Sequence, residues 1–271
     1  MPDSVSHLNS DALHFFSPTA THNPLRFYLP VADSLAVGRE RRFLMGGVGL
    51  ASAIDVLERV TERPLIWATA QYLSFAEPGS VVDLDVRAPV VGNTVTQARV
   101  VSHVGEREIL TVNGAMGMKP DQPTAQFVTP DLAALPRPET CELHEPHDNW
   151  PGGLNQRFER RSIPDERGLT LGRTRMWIRN REGDQVSAGY LAIVADYLLG
   201  SVGPLLGRET STSSIDNTLR LHAIEQAEWL FCETQVTAVA NGFCYGQMHI
   251  FADSGLLLAT GSQSGIVRLM P

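Results

Sequence analysis

The stretch Ala188-Gly189-Tyr190-Leu191-Ala192-Ile193-Val194-Ala195-Asp196-Tyr197-Leu198-Leu199 is apolar on every face of a helix and carries a single acid. A helix without a polar face is a buried helix. An ionised carboxylate within it costs several kcal/mol unless polar groups or water meet it. Asp196 is therefore either a buttress for neighbouring backbone and hydroxyls or a group kept for chemistry.

The same pattern stands earlier in the chain. Gly46-Gly47-Val48-Gly49-Leu50 leads to Ile54-Asp55-Val56-Leu57, and Leu50, Ala53, Ile54, Leu57 and Val60 have helical spacing over Gly49 to Thr61. Glu58, Arg59 and Glu62 would face water, and Asp55 takes the place of Asp196 with an easier route to solvent. Strand-like segments follow each helix, from about Leu65 to Met118 and from about Ser211 to Met270, with turns at Pro78-Gly79, Gly105-Glu106 and Asp253-Ser254-Gly255. A helix and four strands recurring in order read as a duplicated small domain. The expected class is α+β, with two tandem antiparallel sheets each wrapped around one long helix.

Between the halves the chain turns proline-rich, with Pro120, Pro123, Pro130, Pro136, Pro138, Pro146 and Pro151. Residues 119–157 are thus expected to be a connector between an N-terminal half, 1–118, and a C-terminal half, 158–271. Residues Met1 to Pro24 are polar and aperiodic and would be a loose start.

Composition limits the function. Apolar residues make up 43% and charged residues 19%, the balance of an ordinary globular protein. A net charge of -8 argues against a nucleic-acid partner. No apolar run reaches the ~20 residues that span a bilayer, and no signal peptide is legible, so no membrane partner and a cytoplasmic location are expected. Cys141, Cys232 and Cys244 have no CxxC spacing and read as reduced thiols. His144-Glu145-Pro146-His147 could suggest a metal, but Pro146 breaks the helix that would align the rings, so neither metal nor cofactor is expected.

Polar candidates other than Asp196 come from three places. The strand Ser213 to His222 alternates, with Ser214, Asp216, Thr218, Arg220 and His222 on one side and Ile215, Asn217, Leu219 and Leu221 on the other. Gln263 lies between Gly261 and Gly265, which permit close approach of a ligand or another backbone. The Gly46-Gly47-Val48-Gly49 cluster has no βαβ unit around it, so it reads as exposed amides at a helix N-terminus, an anion or oxyanion site.

Together these residues resemble the acyl-CoA thioesterase II family, whose members are double hot-dog proteins. The resemblance spans nearly the whole chain. It rests on Gly46-Gly47, Phe75-Ala76-Glu77-Pro78-Gly79, Phe158-Glu159-Arg160-Arg161, Trp177-Ile178-Arg179, Ala195-Asp196, Ser214-Ile215-Asp216, Glu228-Trp229-Leu230, and Gln263 followed by Gly265 and Arg268. It implies hydrolysis of fatty acyl-CoA thioesters, with Asp196, Ser214 and Gln263 as the catalytic trio. Gly46, Gly47 and Tyr72 would be substrate-binding, and the chain could self-associate as a homo-oligomer. Tyr72 stands where the family often has His, and Glu77 where it often has Arg.

Two rival readings use the same scaffold. One is a hot-dog hydratase or dehydratase using Asp216 and His222, which six strand residues would hold roughly 20 Å apart. The other is a non-enzymatic acyl-thioester binder, which would need no water-activating trio.

Overall fold

The computed structural model describes residues 14–38, 40–120, 122–145 and 151–270. Residues 1–13 of the expected loose start lie outside these, as do Pro146 and His147 of the candidate metal motif.

The first half runs β1 (Arg26–Pro30), α1 (Gly46–Thr61), β2 (Leu65–Tyr72), β3 (Val81–Val91), β4 (Val95–Val104) and β5 (Arg107–Gly117). The second runs β6 (Phe158–Ile163), β7 (Arg173–Asn180), α2 (Ala188–Ala195), β8 (Thr210–Leu221), β9 (Leu230–Ala240), β10 (Phe243–Ala252) and β11 (Leu257–Leu269). Every pairing is antiparallel, and β2 pairs with β8. The strands therefore form one 13-stranded sheet rather than two. Its order is Thr19–Ala20, β1, β3, β4, β5, β2, β8, β11, β10, β9, β7, β6, Glu142–Leu143.

The halves are related across the β2–β8 seam. Thr69 and Thr218 face each other there, 149 positions apart, and their hydroxyls are 2.7 Å from one another. The strand order reads the same outward from that pair, as a duplication requires. The turns expected at Gly105-Glu106 and Asp253-Ser254-Gly255 close the β4–β5 and β10–β11 hairpins.

The two helices pack against each other inside the sheet's curve. They approach so closely that a Cβ on Gly47 would lie 2.9 Å from Ile193 Cα, and one on Gly189 would lie 3.3 Å from the Ala51 carbonyl. The second helix is not the single long helix expected. α2 stops at Ala195, a 3₁₀ turn runs over Asp196–Ser201, and a short helix covers Val202–Leu206. Taken together, Ala188–Leu206 is apolar and long enough to cross a membrane, although the sequence showed no uninterrupted apolar run of that length. Its residues are mostly core, and the break at Asp196 turns the carboxylate toward α1.

The proline-rich connector is mostly exposed among its described residues, yet it is tied to the second half at several points. Gln126 donates to Gly255 O at 3.0 Å and accepts from Leu257 N–H at 2.7 Å. Trp177 donates its indole N–H to Pro136 O, and Cys141 joins Trp177, Trp229, Phe231 and Phe251 in a second apolar cluster on the outer face of the sheet.

Glu58 also departs from the expected exposure. Instead of facing water, it accepts the Leu65 N–H at 2.8 Å, and burial pushes its carboxyl up to about 7. Between the ordinary Glu value and about 7 the folded state holds a proton that the unfolded chain has lost, so rising pH erodes stability across that window. Glu58→Gln keeps the acceptor and removes the charge. Denaturant unfolding should find it about 3 kcal/mol more stable than the parent at pH 8 and level with it at pH 4. A difference that is the same at both pH values would mean that the carboxylate is solvated.

Candidate active site

Asp196 is the residue on which both halves converge. Its Oδ2 accepts the Gly47 N–H at 2.7 Å. That amide belongs to the first turn of α1, whose own cap position, Met45, offers no side-chain acceptor. The carboxylate thus caps a helix from the other half of the chain, where the helix dipole favours negative charge. Gly47 is required at this contact, since a Cβ there would lie 2.7 Å from Asp196 Cβ.

The other carboxylate oxygen faces the sheet. Oδ1 accepts from Gln263 Nε2 at 2.6 Å and Asn217 Nδ2 at 3.3 Å, with the Ser214 hydroxyl at 3.5 Å. Gln263 Nε2 also donates to Ser214 Oγ at 2.8 Å. Asp196, Ser214 and Gln263, far apart in sequence, therefore meet in one hydrogen-bonded cluster. Gln263 is fully buried because the glycines beside it admit the second helix: a Cβ on Gly261 would lie 2.9 Å from Ala195 Cβ, and one on Gly265 would lie 2.8 Å from Leu199.

Asn217 is the member that strand alternation hides. A β-bulge between Ser214 and Asp216 inserts one residue, so Ser214 and Asn217 share the inner face. A sequence-wide period of two put them on opposite sides. Only the pairing of Asn217 with Gln263 across β8 and β11 reveals the correct register.

Burial pushes the Asp196 carboxyl above its usual range, and the donors from Gly47, Gln263, Asn217 and Ser214 pull it part of the way back. Asp196 lies deep in the protein but keeps some surface on a cavity of about 1210 Å³. Leu44, Met45, Phe43, Ile109 and Leu110 give this cavity an apolar wall, and Ser213, Ser214, Thr210, Thr212 and Arg268 give it a polar one. A cleft of this size with an apolar side and a few convergent polar groups suits a small organic ligand.

Gly46 and Tyr72 line the same cavity. The Gly46 N–H makes no hydrogen bond among the described residues. The Tyr72 ring lies against Gly46, whose Cβ would be 3.2 Å from the hydroxyl. Tyr72 Oη is buried beside Asn217 without reaching hydrogen-bond geometry, and Asn217 Oδ1 and Gln263 Oε1 are likewise buried and unpaired. Burial first, and the Asp196 charge second, raise the Tyr72 phenol well above its ordinary value, so it stays a donor. Glu77 is tied to Arg41 at 2.7 Å, and Arg41 stacks on Phe75 at the cavity edge.

Asp55, the counterpart of Asp196, does not form a second site. It accepts from Ser17 Oγ at 3.2 Å and pairs with Arg59, while the Phe16 ring packs against Gly189, where a Cβ would lie 2.5 Å away. Asp216 and His222 also stand apart from the cluster. Asp216 accepts the Ser264 N–H at 2.8 Å, and His222 meets the Thr260 hydroxyl at 3.2 Å.

Comparison with known proteins bears on the family and the fold. Residues 138–267 match the model of the acyl-CoA thioesterase C-terminal domain. A search of curated proteins finds no match. Among solved structures, a candidate thioesterase from Novosphingobium aromaticivorans DSM 12444 is 30% identical with a TM-score of 0.87, covering 94% of this chain and 100% of that one. An acyl-CoA thioesterase II from Mycobacterium marinum shares the fold at 18% identity and a TM-score of 0.74, covering 93% and 96%. A hot-dog protein of unknown function from Alicyclobacillus acidocaldarius shares it at 17% identity and 0.79, covering 96% and 100%. By its C-terminal match and its identity across the whole Novosphingobium protein, the chain belongs to the acyl-CoA thioesterase family, a family of thioester-hydrolysing enzymes.

Proposed function

We propose that the chain hydrolyses fatty acyl-CoA thioesters to free acid and CoA, using Asp196 to activate water. The observation that carries this reading is a deep carboxylate, bonded on one oxygen by a helix N-terminus and on the other by Gln263, at the wall of a cavity with an apolar side. In this reading the two halves are two hot-dog units, 1–118 and 158–271, joined by 119–157, and one composite site lies between them.

A water held by Ser214 Oγ and Gln263 attacks the thioester carbonyl carbon as Asp196 takes its proton. Charge grows on the carbonyl oxygen, where the Gly46 N–H and the Tyr72 hydroxyl donate to it. The tetrahedral adduct then collapses, the C–S bond breaks, and the CoA sulfur leaves with the proton that Asp196 had taken. Gly47 cannot serve as the oxyanion donor, because its amide is bound to Asp196. Burial helps the base, since a carboxylate raised above its usual range is the stronger proton acceptor.

Thiol release from acyl-CoAs of graded chain length tests the reading directly. Asp196→Asn should lower kcat by about 10²–10⁴-fold with the fold intact by circular dichroism. Undiminished hydrolysis in that variant would remove Asp196 from the reaction. Tyr72→Phe should lower kcat by about 10²-fold with little change in KM; an equal loss in both parameters would make Tyr72 a packing residue. In the parent enzyme, kcat/KM should fall on the acid side as Asp196 gains its proton, at a pH above the ~3.9 of an ordinary Asp. A limb at or below that value would contradict the role of burial.

A further inference from the structure

The arginines on and around β6 and β7 are nearly all paired. Arg157 meets Asp184 at 2.7 Å, Arg161 meets Glu159 at 2.6 Å, Arg173 meets Asp165 at 2.8 Å, Arg175 meets Glu233 at 2.7 Å, and Arg179 meets Glu159 at 2.9 Å. Within the two strands Arg160 is the exception: among the described residues no carboxylate pairs with it.

Strand alternation explains the difference. Glu159 and Arg161 point to the outer face of β6, so Arg160 between them points inward, where it lines the cavity. Its guanidinium lies over the Tyr197 ring at 4.5 Å, and Tyr197 directly follows Asp196 in the chain. The Tyr197 hydroxyl in turn donates to Asn155 Oδ1 at 2.9 Å, which fixes the ring under the cation. Arg160 Nε is buried without a hydrogen-bond partner. Asp196 is already engaged by four donors and provides no ion pair for it.

A planar cation held on an aromatic ring, with an unpaired N–H and no counter-charge, is a recognition element for a planar or tetrahedral anion. We infer that Arg160 binds an anionic group of the substrate and thereby selects which thioesters this enzyme accepts. This inference rests on the hydrolysis reading above. Two chemical sources fit one guanidinium: a carboxylate at the far end of the acyl chain, or a phosphate of CoA.

The test compares the parent with Arg160→Met and Arg160→Lys on three thioesters: hexanoyl-CoA, adipoyl-CoA and hexanoyl-pantetheine. An acyl carboxylate as partner predicts that Arg160→Met raises KM for adipoyl-CoA about 10- to 100-fold more than for hexanoyl-CoA. A CoA phosphate as partner predicts the same excess for both CoA thioesters over the pantetheine ester. In either case Arg160→Lys should recover part of the loss, which a packing defect would not allow. Equal KM changes for all three substrates would overturn the proposal. Calorimetric titration of parent and Arg160→Met with CoA, and separately with adipate, gives a readout that needs no turnover. If the parent hydrolyses none of the thioesters, the hydrolysis reading fails by itself. The anion site then stands if the parent binds CoA or adipate more tightly than the variant, and falls if the two bind alike.

Discussion

The 2.7 Å bond from Gly47 N–H to the Asp196 carboxylate is the constraint around which the rest of the structure is arranged. It joins the first turn of α1 to the break after α2, so each half supplies a hydrogen-bond partner to the other. α1 lacks a side-chain cap of its own, whereas α2 is capped by Ser187, whose hydroxyl accepts the Tyr190 N–H at 3.2 Å. One helix is capped locally and the other is capped by its partner. A cap within one polar loop costs little to build. A cap supplied by an acid in an apolar helix costs desolvation, and several donors must offset it. Gln263 and Asn217 supply that offset from β11 and β8, which is why polar residues occur at fully buried strand positions.

The asymmetry of the duplication follows from the same interaction. Across the pseudo-symmetric seam, the bulge at Ser214/Asp216 matches a bulge at Leu65/Trp67, and the pair Asn217–Gln263 matches the pair Ala68–Gly114. Where the second half has a hydroxyl and two amides around an acid, the first half has Leu65, Ala68 and Gly114. Asp55 would be stranded there, so it has turned to Arg59 and Ser17, and Phe16 fills the space beside Gly189. One duplicated position holds a buried acid ringed by donors while the other has become packing. The two helices still meet there, because both contribute to the Asp196 cluster.

Much of this was legible in the sequence, for physical reasons. The carboxylate in an all-apolar helix had to be met by polar groups, and the repeated helix-plus-strands order had to produce two similar halves. Asp196 stands out as an acid among aliphatics; Ser214, a hydroxyl at a strand start, and Gln263, an amide between glycines, are weaker marks, and it is the family resemblance that joins them to it as a trio. Asn217 does not stand out, because a bulge shifts the face of every residue after it and leaves no mark in local composition. The single sheet was likewise hidden, since the β2–β8 pairing depends on how two halves meet and not on the pattern within either. Glu58 misled for a related reason: on a helical wheel it faces away from the core, and only the start of β2 folding back over it provides the covering backbone.

The chemistry of the site rests on a balance that neither burial nor hydrogen bonding would reach alone. Desolvation without donors would hold Asp196 protonated, and a protonated acid cannot accept a proton from water. Donors without desolvation would hold it as a weak base in the ordinary carboxylate range. Here one oxygen is bound by a helix N-terminus and the other by amides, and burial still prevails, so the net displacement is upward. The two sets of donors also act in different ways. Gly47 anchors the group through a rigid backbone that cannot rotate away. Gln263 divides its donors between Asp196 and Ser214, so any movement of the carboxylate is felt at the hydroxyl 2.8 Å from the same nitrogen. The arrangement thus couples the charge of the base to the orientation of the hydroxyl beside it, and that coupling requires Gln263 to be fully enclosed. The glycines on either side of Gln263 let the helix carrying Asp196 come down directly on the strand, so the acid and the amide cannot separate without opening the core.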